Sequence, residues 1–291
     1  MDLISQIKEI KKKISSQILF KENLSKHSWF NLGGAAKVIF KPKNLSELSI
    51  FLKNLKGFSK IKVLGAGSNT LIRDGGFDGI IIKFTKSFSH ISLFDQNMLI
   101  AGASALDKNV SNFALENSLS GFEFLSCIPG TVGGAIRMNS GCYGEDISKI
   151  LASVQAIDLG GNVRLINSSN IKFSYRSCNL DNNLIFISAS FKGKSGVSSN
   201  IKKKINDLIL KKKKKNIRRN DDDKKTADFV EQAMAGIKTT LEQGDTINNA
   251  ELRKIFGCSP QGGMRRSRKT NTLVIVSNHV ESIYEDRWEE G

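Results

Sequence analysis

Ile4, Ile7, Ile10 and Ile14 recur at three- and four-residue intervals among Lys and Glu, a spacing that predicts an amphipathic helix at the N-terminus. Ala36-Lys37-Val38-Ile39-Phe40 follows the Gly33-Gly34 pair and reads as a strand. Helical spacing returns over 45–55, with Asn44 as a cap and Glu47 three residues on. A short buried strand over 61–64 runs into a glycine-rich turn, and another is expected over 80–84. Strand patterns dominate from there to about residue 191, at 89–93, 98–101, 153–158, 163–166 and 184–191, interrupted by a helix over 108–117. Asp158-Leu159-Gly160-Gly161-Asn162 has the composition of a hairpin turn. Strands and helices do not alternate regularly, so the pattern is α+β rather than a doubly wound parallel sheet.

Ile201, Ile205, Leu208 and Ile209 fall on one face of a lysine-rich helix expected over 201–215. Asn220-Asp221-Asp222-Asp223-Lys224-Lys225 has no apolar anchor and reads as a linker. Helices over 228–241 and 248–256 and a strand over 273–277 are expected beyond it. The domain reading is therefore 1–85, 86–200, a basic helix and linker over 201–225, and a differently textured segment over 226–291.

With 291 residues and 40% hydrophobic content, the chain has a globular composition with room for about two domains. Its +16 charge excludes acidic-tail classes and is uneven. Residues 201–220 hold ten Lys or Arg against Asp207, whereas 221–291 hold ten basic and thirteen acidic residues. The lysine block carries no interleaved aromatics that could stack bases, so a solvated face and an anion-binding face are both open readings. Cys127, Cys142, Cys178 and Cys258 lack metal-ligand spacing, and His27, His90 and His279 have no acidic or Cys partner at a recognisable separation, so no metal is expected. No apolar run reaches the roughly 18 residues of a membrane span, and the first residues lack a signal-peptide core, which gives a cytoplasmic expectation.

Two glycine loops carry the chemistry. Gly65-Ala66-Gly67-Ser68-Asn69-Thr70 lets the backbone turn with several N–H groups pointing one way, as a pyrophosphate requires. It lacks the third glycine of a Rossmann turn and the Lys-Ser/Thr of a Walker loop, and taken alone it suits a structural turn equally. Ile128-Pro129-Gly130-Thr131-Val132-Gly133-Gly134-Ala135 continues as Ile136-Arg137-Met138-Asn139-Ser140-Gly141-Cys142-Tyr143-Gly144, five glycines among small side chains that allow close backbone approach to a ligand. In Phe173-Ser174-Tyr175-Arg176, the planar fork of the arginine could clamp a carboxylate or phosphate. Read by itself, it could equally be a surface arginine at a strand end.

With His27-Ser28-Trp29-Phe30-Asn31-Leu32-Gly33-Gly34, these pieces stand in the order found in the UDP-N-acetylenolpyruvoylglucosamine reductases (UDP-N-acetylmuramate dehydrogenases), bacterial enzymes of peptidoglycan precursor synthesis, which residues 15–219 resemble. The resemblance implies an FAD-binding fold of the vanillyl-alcohol-oxidase (PCMH) type in two subdomains. It implies that FAD is held by Gly65, Ala66, Gly67, Ser68, Asn69 and Thr70 and by Pro129, Gly130, Thr131, Gly133, Gly134, Ala135, Asn139, Gly141, Tyr143 and Gly144. NADPH would reduce the flavin, whose hydride would pass to the enolpyruvyl double bond of a UDP-sugar. Arg176 would be the catalytic group pairing with the substrate carboxylate, and Tyr175 would lie beside it in the substrate site. A monomer is expected.

Beyond about residue 220 the resemblance stops. The family's Gly-Ser-x-Phe-Lys-Asn-Pro motif, whose Ser donates a proton, and its C-terminal Glu have no counterpart in 220–291. Ser259 stands instead in Cys258-Ser259-Pro260-Gln261-Gly262-Gly263. A missing third domain implies impaired turnover. Residues 221–291 instead resemble the opening of a DNA-reading module that precedes HNH nuclease domains in modification-dependent restriction endonucleases. This implies phosphate contacts from Arg265, Arg266, Arg268 and Lys269 and, as the alternative function, DNA binding by a fragment of a restriction-type protein. A fusion or a frameshift each accounts for so abrupt a change.

Overall fold

The isoleucine spacing at the N-terminus is realised as helix α1 (Leu3–Lys11), which buries Leu3, Ile7 and Ile10. The computed structural model describes residues 3–55, 60–70 and 72–214, with the backbone of 265–266 and 273–274. Helix α2 (Leu45–Asn54) starts where its cap predicts, with the Asn44 side chain accepting from the Glu47 amide at 2.9 Å. Glu47 does not reach back to close a capping box. Its carboxylate accepts from the Ser15 hydroxyl and the Ser16 amide, each at 2.7 Å, and from the Ser16 hydroxyl. The Ser16 hydroxyl contributes most to holding it below the usual carboxylate range.

The helices cover a four-stranded sheet of β1 (Gln17–Asn23), β2 (Ala35–Lys41), β3 (Ile61–Val63) and β4 (Phe77–Ile82), in the order β1-β2-β4-β3. β1 runs antiparallel to β2, and the other two pairings are parallel. Val38, Phe40, Ile80 and Ile82 face the helices, and Phe40 stacks on Phe51 with ring centroids 3.7 Å apart. Ile39, Ile81 and Ala36 pack on the other face with Leu24 and Leu64. Because β3 and β4 are parallel, the chain leaves both at the same edge, and this sets Gly65 beside Lys83.

The second sheet contains β5 (Ile91–Asp95), β6 (Met98–Gly102) and the strands Leu151–Ile157, Val163–Asn167 and Ile185–Lys192. Its order is 163–167, 151–157, 185–192, β6, β5, with every neighbour antiparallel. The hairpin turn closes as its composition predicts: Gly161 takes φ +75° and the Asn162 amide donates to Asp158 Oδ1 at 2.9 Å. Helix α3 (Asp107–Glu116), the 3-10 helix Glu123–Cys127 and α4 (Val132–Arg137) share one core with this sheet, built on Phe122, Phe124, Ile136, Val154 and Phe191. Ile157, Ile185 and Ile187 join the α1/α2 core instead.

The lysine-rich helix spans 198–214 and buries Ile201, Ile205 and Leu208. Lys204 lies 3.4 Å from the buried carboxylate of Glu123, and Lys212 Nζ donates to the Cys127 carbonyl at 2.7 Å. Part of the block therefore fastens the helix while still reaching solvent, since Lys204 remains exposed.

Several elements differ from the sequence reading, among them β5, which lies two residues later than expected, and short strands and 3-10 helices such as Leu119–Ser120 and Glu123–Cys127. β1 was not expected, because it buries Ile18 alone on an otherwise exposed or half-exposed strand and shows no alternation. α4 forms inside what reads as a loop, across two glycines. β4 begins three residues earlier than expected, paired with β2 from Phe77 opposite Ala36.

The chain divides into two units, Met1–Lys213 and Lys214–Gly291. In the second, Arg265–Arg266 pairs antiparallel with Leu273–Val274. The linker over 220–225, the helices expected over 228–241 and 248–256, the remainder of the 273–277 strand, Ser259, Arg268 and Lys269 lie outside the described residues. Among the described residues, no helix is long and apolar enough to cross a membrane.

Candidate functional site

The first glycine turn leaves β3 and closes against the segment at His27. Gly67 has φ +72°, and a Cβ there would overlap the His27 carbonyl oxygen. The Trp29 amide donates to Gly67 O at 3.0 Å, and the Ser28 hydroxyl donates to Thr70 O at 2.8 Å. Trp29 and Phe30 remain 62% and 52% exposed, so they are not core side chains. Among the described residues, nothing accepts from the amides of Ala66, Gly67, Ser68 or Asn69.

The second loop emerges from the 3-10 helix and runs into α4. It is pinned from behind by Asp107 N to Gly130 O at 3.2 Å, Val132 N to Ala105 O at 3.0 Å and Gly133 N to Ala103 O at 2.9 Å. The amide of Gly134 finds no acceptor among the described residues. The two loops meet: a Cβ on Gly65 would lie 2.5 Å from Thr131 Oγ1. Side-chain-free backbone is what permits this approach.

Tyr175 and Arg176 form the tip between strands Phe173–Ser174 and Ser177–Cys178. Asn139 ties this tip to the second loop, donating from Nδ2 to Ser174 O at 3.3 Å while its Oδ1 accepts from Ser148 N at 3.1 Å. Arg137 holds the following segment, donating to Leu180 O (2.8 Å), Asp181 O (3.2 Å) and Leu184 O (2.7 Å), with its guanidinium 4.2 Å over the Phe186 ring. Burial and the neighbouring Cys127 thiol push the Cys142 thiol up to about 11, against opposing pulls from Lys212 and Arg176. The Arg176 guanidinium carbon lies 5.5 Å from the ring centroid of the exposed Tyr175. Asn31, Asn139, Tyr143 and Arg176 all take positive φ, among six such non-glycine residues in the described chain. Strain of this kind gathers at ligand sites, and four of the six fall in three of the sequence motifs, those around His27, the second loop and the Arg176 tip.

Sequence reasoning missed three side chains. Arg137 lies within a motif read for its glycines. Lys83 looks like an ordinary charge at a strand end. Asp107 reads as a helix-start acid but is fully buried, and neither its carboxyl oxygens nor the Ser111 hydroxyl one turn on has a partner among the described residues. Burial pushes Asp107 up to about 8. A Cβ on Gly130 would stand 2.7 Å from Asp107 Oδ2.

The FAD binding domain family matches residues 36–167, which span the first glycine turn and the second loop. Fold and loops together define a flavoprotein oxidoreductase of the PCMH-type FAD-binding class. The chain is 48% identical over 205 residues to the UDP-N-acetylenolpyruvoylglucosamine reductase of Pelagibacter ubique, covering 70% of this chain and 68% of that protein. It is 44% identical over 186 residues to the reductase of the same name from Rickettsia canadensis, covering 64% of this chain and 63% of that one. The chain belongs to the UDP-N-acetylenolpyruvoylglucosamine reductase family. The crystal structure of the Thermus caldophilus UDP-N-acetylenolpyruvylglucosamine reductase shares the fold, with a TM-score of 0.59 at 24% identity over 68% of this chain and 69% of that one. The chain thus spans about two thirds of the length of these relatives.

Proposed function

We propose that the chain reduces the enolpyruvyl group of UDP-N-acetylglucosamine enolpyruvate to UDP-N-acetylmuramate with NADPH, holding FAD between its two glycine loops. The observation that carries this reading is the contact of Gly65 with Thr131, with the Arg176 tip tied to the second loop through Asn139. The residues fit a dinucleotide: amides in both loops that are unpaired among the described residues can donate to a diphosphate, and a Cβ at Gly65 would crowd the place where they meet. The first loop, Gly65 to Thr70, would hold the diphosphate. The second, from Pro129 to Ala135 with Asn139, Gly141, Tyr143 and Gly144, would line the flavin. Residues 1–85 and 86–200 are taken as the two FAD-binding subdomains.

When bound, FAD supplies the hydride. The Arg176 fork would pair with the substrate carboxylate and stabilise the negative charge that builds on it during reduction. Tyr175, exposed beside it, would form part of the substrate wall. The family's serine motif has no counterpart in 220–291, so no proton donor is assigned. A positioned acid contributes roughly 10²–10⁴-fold, and turnover is expected to be slower than in the relatives by about that factor.

The test is NADPH oxidation by the 291-residue protein with and without the enolpyruvyl sugar nucleotide. Substrate-dependent but slow turnover is expected. Arg176→Lys, which keeps the charge and loses the fork, should lower kcat/KM about tenfold. Oxidation indifferent to the sugar nucleotide, or to this substitution, would overturn the assignment.

A further inference from the structure

Lys83 leaves β4 at the carboxyl edge of the sheet, and its ammonium donates to Gly65 O at 2.9 Å. Among the described residues, no carboxylate pairs with it. Burial and the like charge of Lys41 both hold it below the ordinary lysine range. His27, whose carbonyl oxygen closes on Gly67, belongs to the same field. Burial first, then Lys83, Lys41 and Lys26, lower its pKa, while Glu22 pulls the other way. Its Nε2 is buried without a hydrogen-bond partner among the described residues.

Positive charge kept partly out of water without a counter-charge is unfavourable by itself. It becomes favourable when an anion occupies the place. Lys83 also takes up the Gly65 carbonyl, an acceptor that would otherwise repel an anion, in a turn whose amides from Ala66 to Asn69 are unpaired among the described residues. We propose that Lys83 is the counter-cation of the dinucleotide's diphosphate, so that this chain grips FAD by charge as well as by backbone amides. The proposal rests on the flavin reading above and adds to it a side chain that the glycine motifs do not contain.

Equilibrium binding of FAD and of riboflavin, which has the ring but no phosphate, separates the possibilities in the full chain. Lys83→Met should weaken FAD roughly tenfold to a hundredfold, the range of a charge-assisted contact, and leave riboflavin unchanged. Lys83→Arg should restore FAD to within about threefold, since it returns the charge. Added salt should weaken FAD binding by the wild type more than by Lys83→Met. Should Lys83→Met fold poorly, Lys83→Gln is read in the same way. Equal FAD affinity in Lys83→Met and wild type overturns the proposal and leaves the flavin reading standing. An equal loss of FAD and riboflavin also overturns it, because it would mean a packing role. A wild-type chain that takes up neither compound removes both the flavin reading and the proposal.

Discussion

Asp107→Asn is expected to raise the melting temperature strongly at pH 8 and hardly at all near pH 4. Asp107 begins α3 fully buried, with neither carboxyl oxygen partnered among the described residues, and burial moves it from its ordinary 3.8 to about 8. Between those values the unfolded chain releases the proton and the folded chain keeps it. The folded state then holds more protons, so stability is greatest below about pH 4, falls as pH rises and levels off above about 8. At pH 7 the difference amounts to roughly 4 kcal/mol. Any favourable interaction of the ionised form with the start of α3 offsets less than about 1 kcal/mol of this. Asparagine keeps the shape and has no proton to lose, so it should remove most of the slope. Thermal unfolding of both proteins across pH 4–8 decides it. A variant less stable than wild type by an amount that grows as pH rises above about 4 would mean that the carboxylate has a stabilising partner.

Gly67→Ala should weaken FAD binding about a hundredfold or more. At φ +72° an alanine is strained by about 1 kcal/mol, and its Cβ would also overlap the backbone oxygen of His27. Neither side yields cheaply, because the Trp29–Gly67 hydrogen bond locks the same two segments together. The turn must open, and the amides that would face the diphosphate separate. Gly121→Ala is the control: it lies outside both loops and has a positive φ of +105°, and its added Cβ would meet Ile150 Cγ2 at an ordinary 3.7 Å. It should cost stability of about 1 kcal/mol and leave FAD affinity within a few fold. Flavin titration of the two variants reads this directly, and equal losses would remove the special role of the first turn.

Local signals made much of the fold legible. The Asn44 cap, the isoleucines of α1, the 158–162 turn and the apolar face of the helix at 198–214 each depend on neighbours a few residues away. β1 and α4 were illegible because distant partners hold them. β1 takes its register from β2, and α4 folds across Gly133 and Gly134 because Ala103 and Ala105 receive the first amides of the loop. The site divides in the same way. Glycine patterns disclose both loops, since no other residue tolerates such close approach. Their meeting at Gly65 and Thr131 is a matter of topology. Asp107 and Lys83 look like surface charges until the fold surrounds them.

The cradle formed by the two loops is tested most directly by titrating the purified 291-residue chain, stripped of any flavin, with FAD. The account predicts saturable uptake of one FAD per chain, a protein-bound flavin absorption band and release on unfolding. A chain that stays colourless after gel filtration from saturating FAD, while remaining folded, would contradict it.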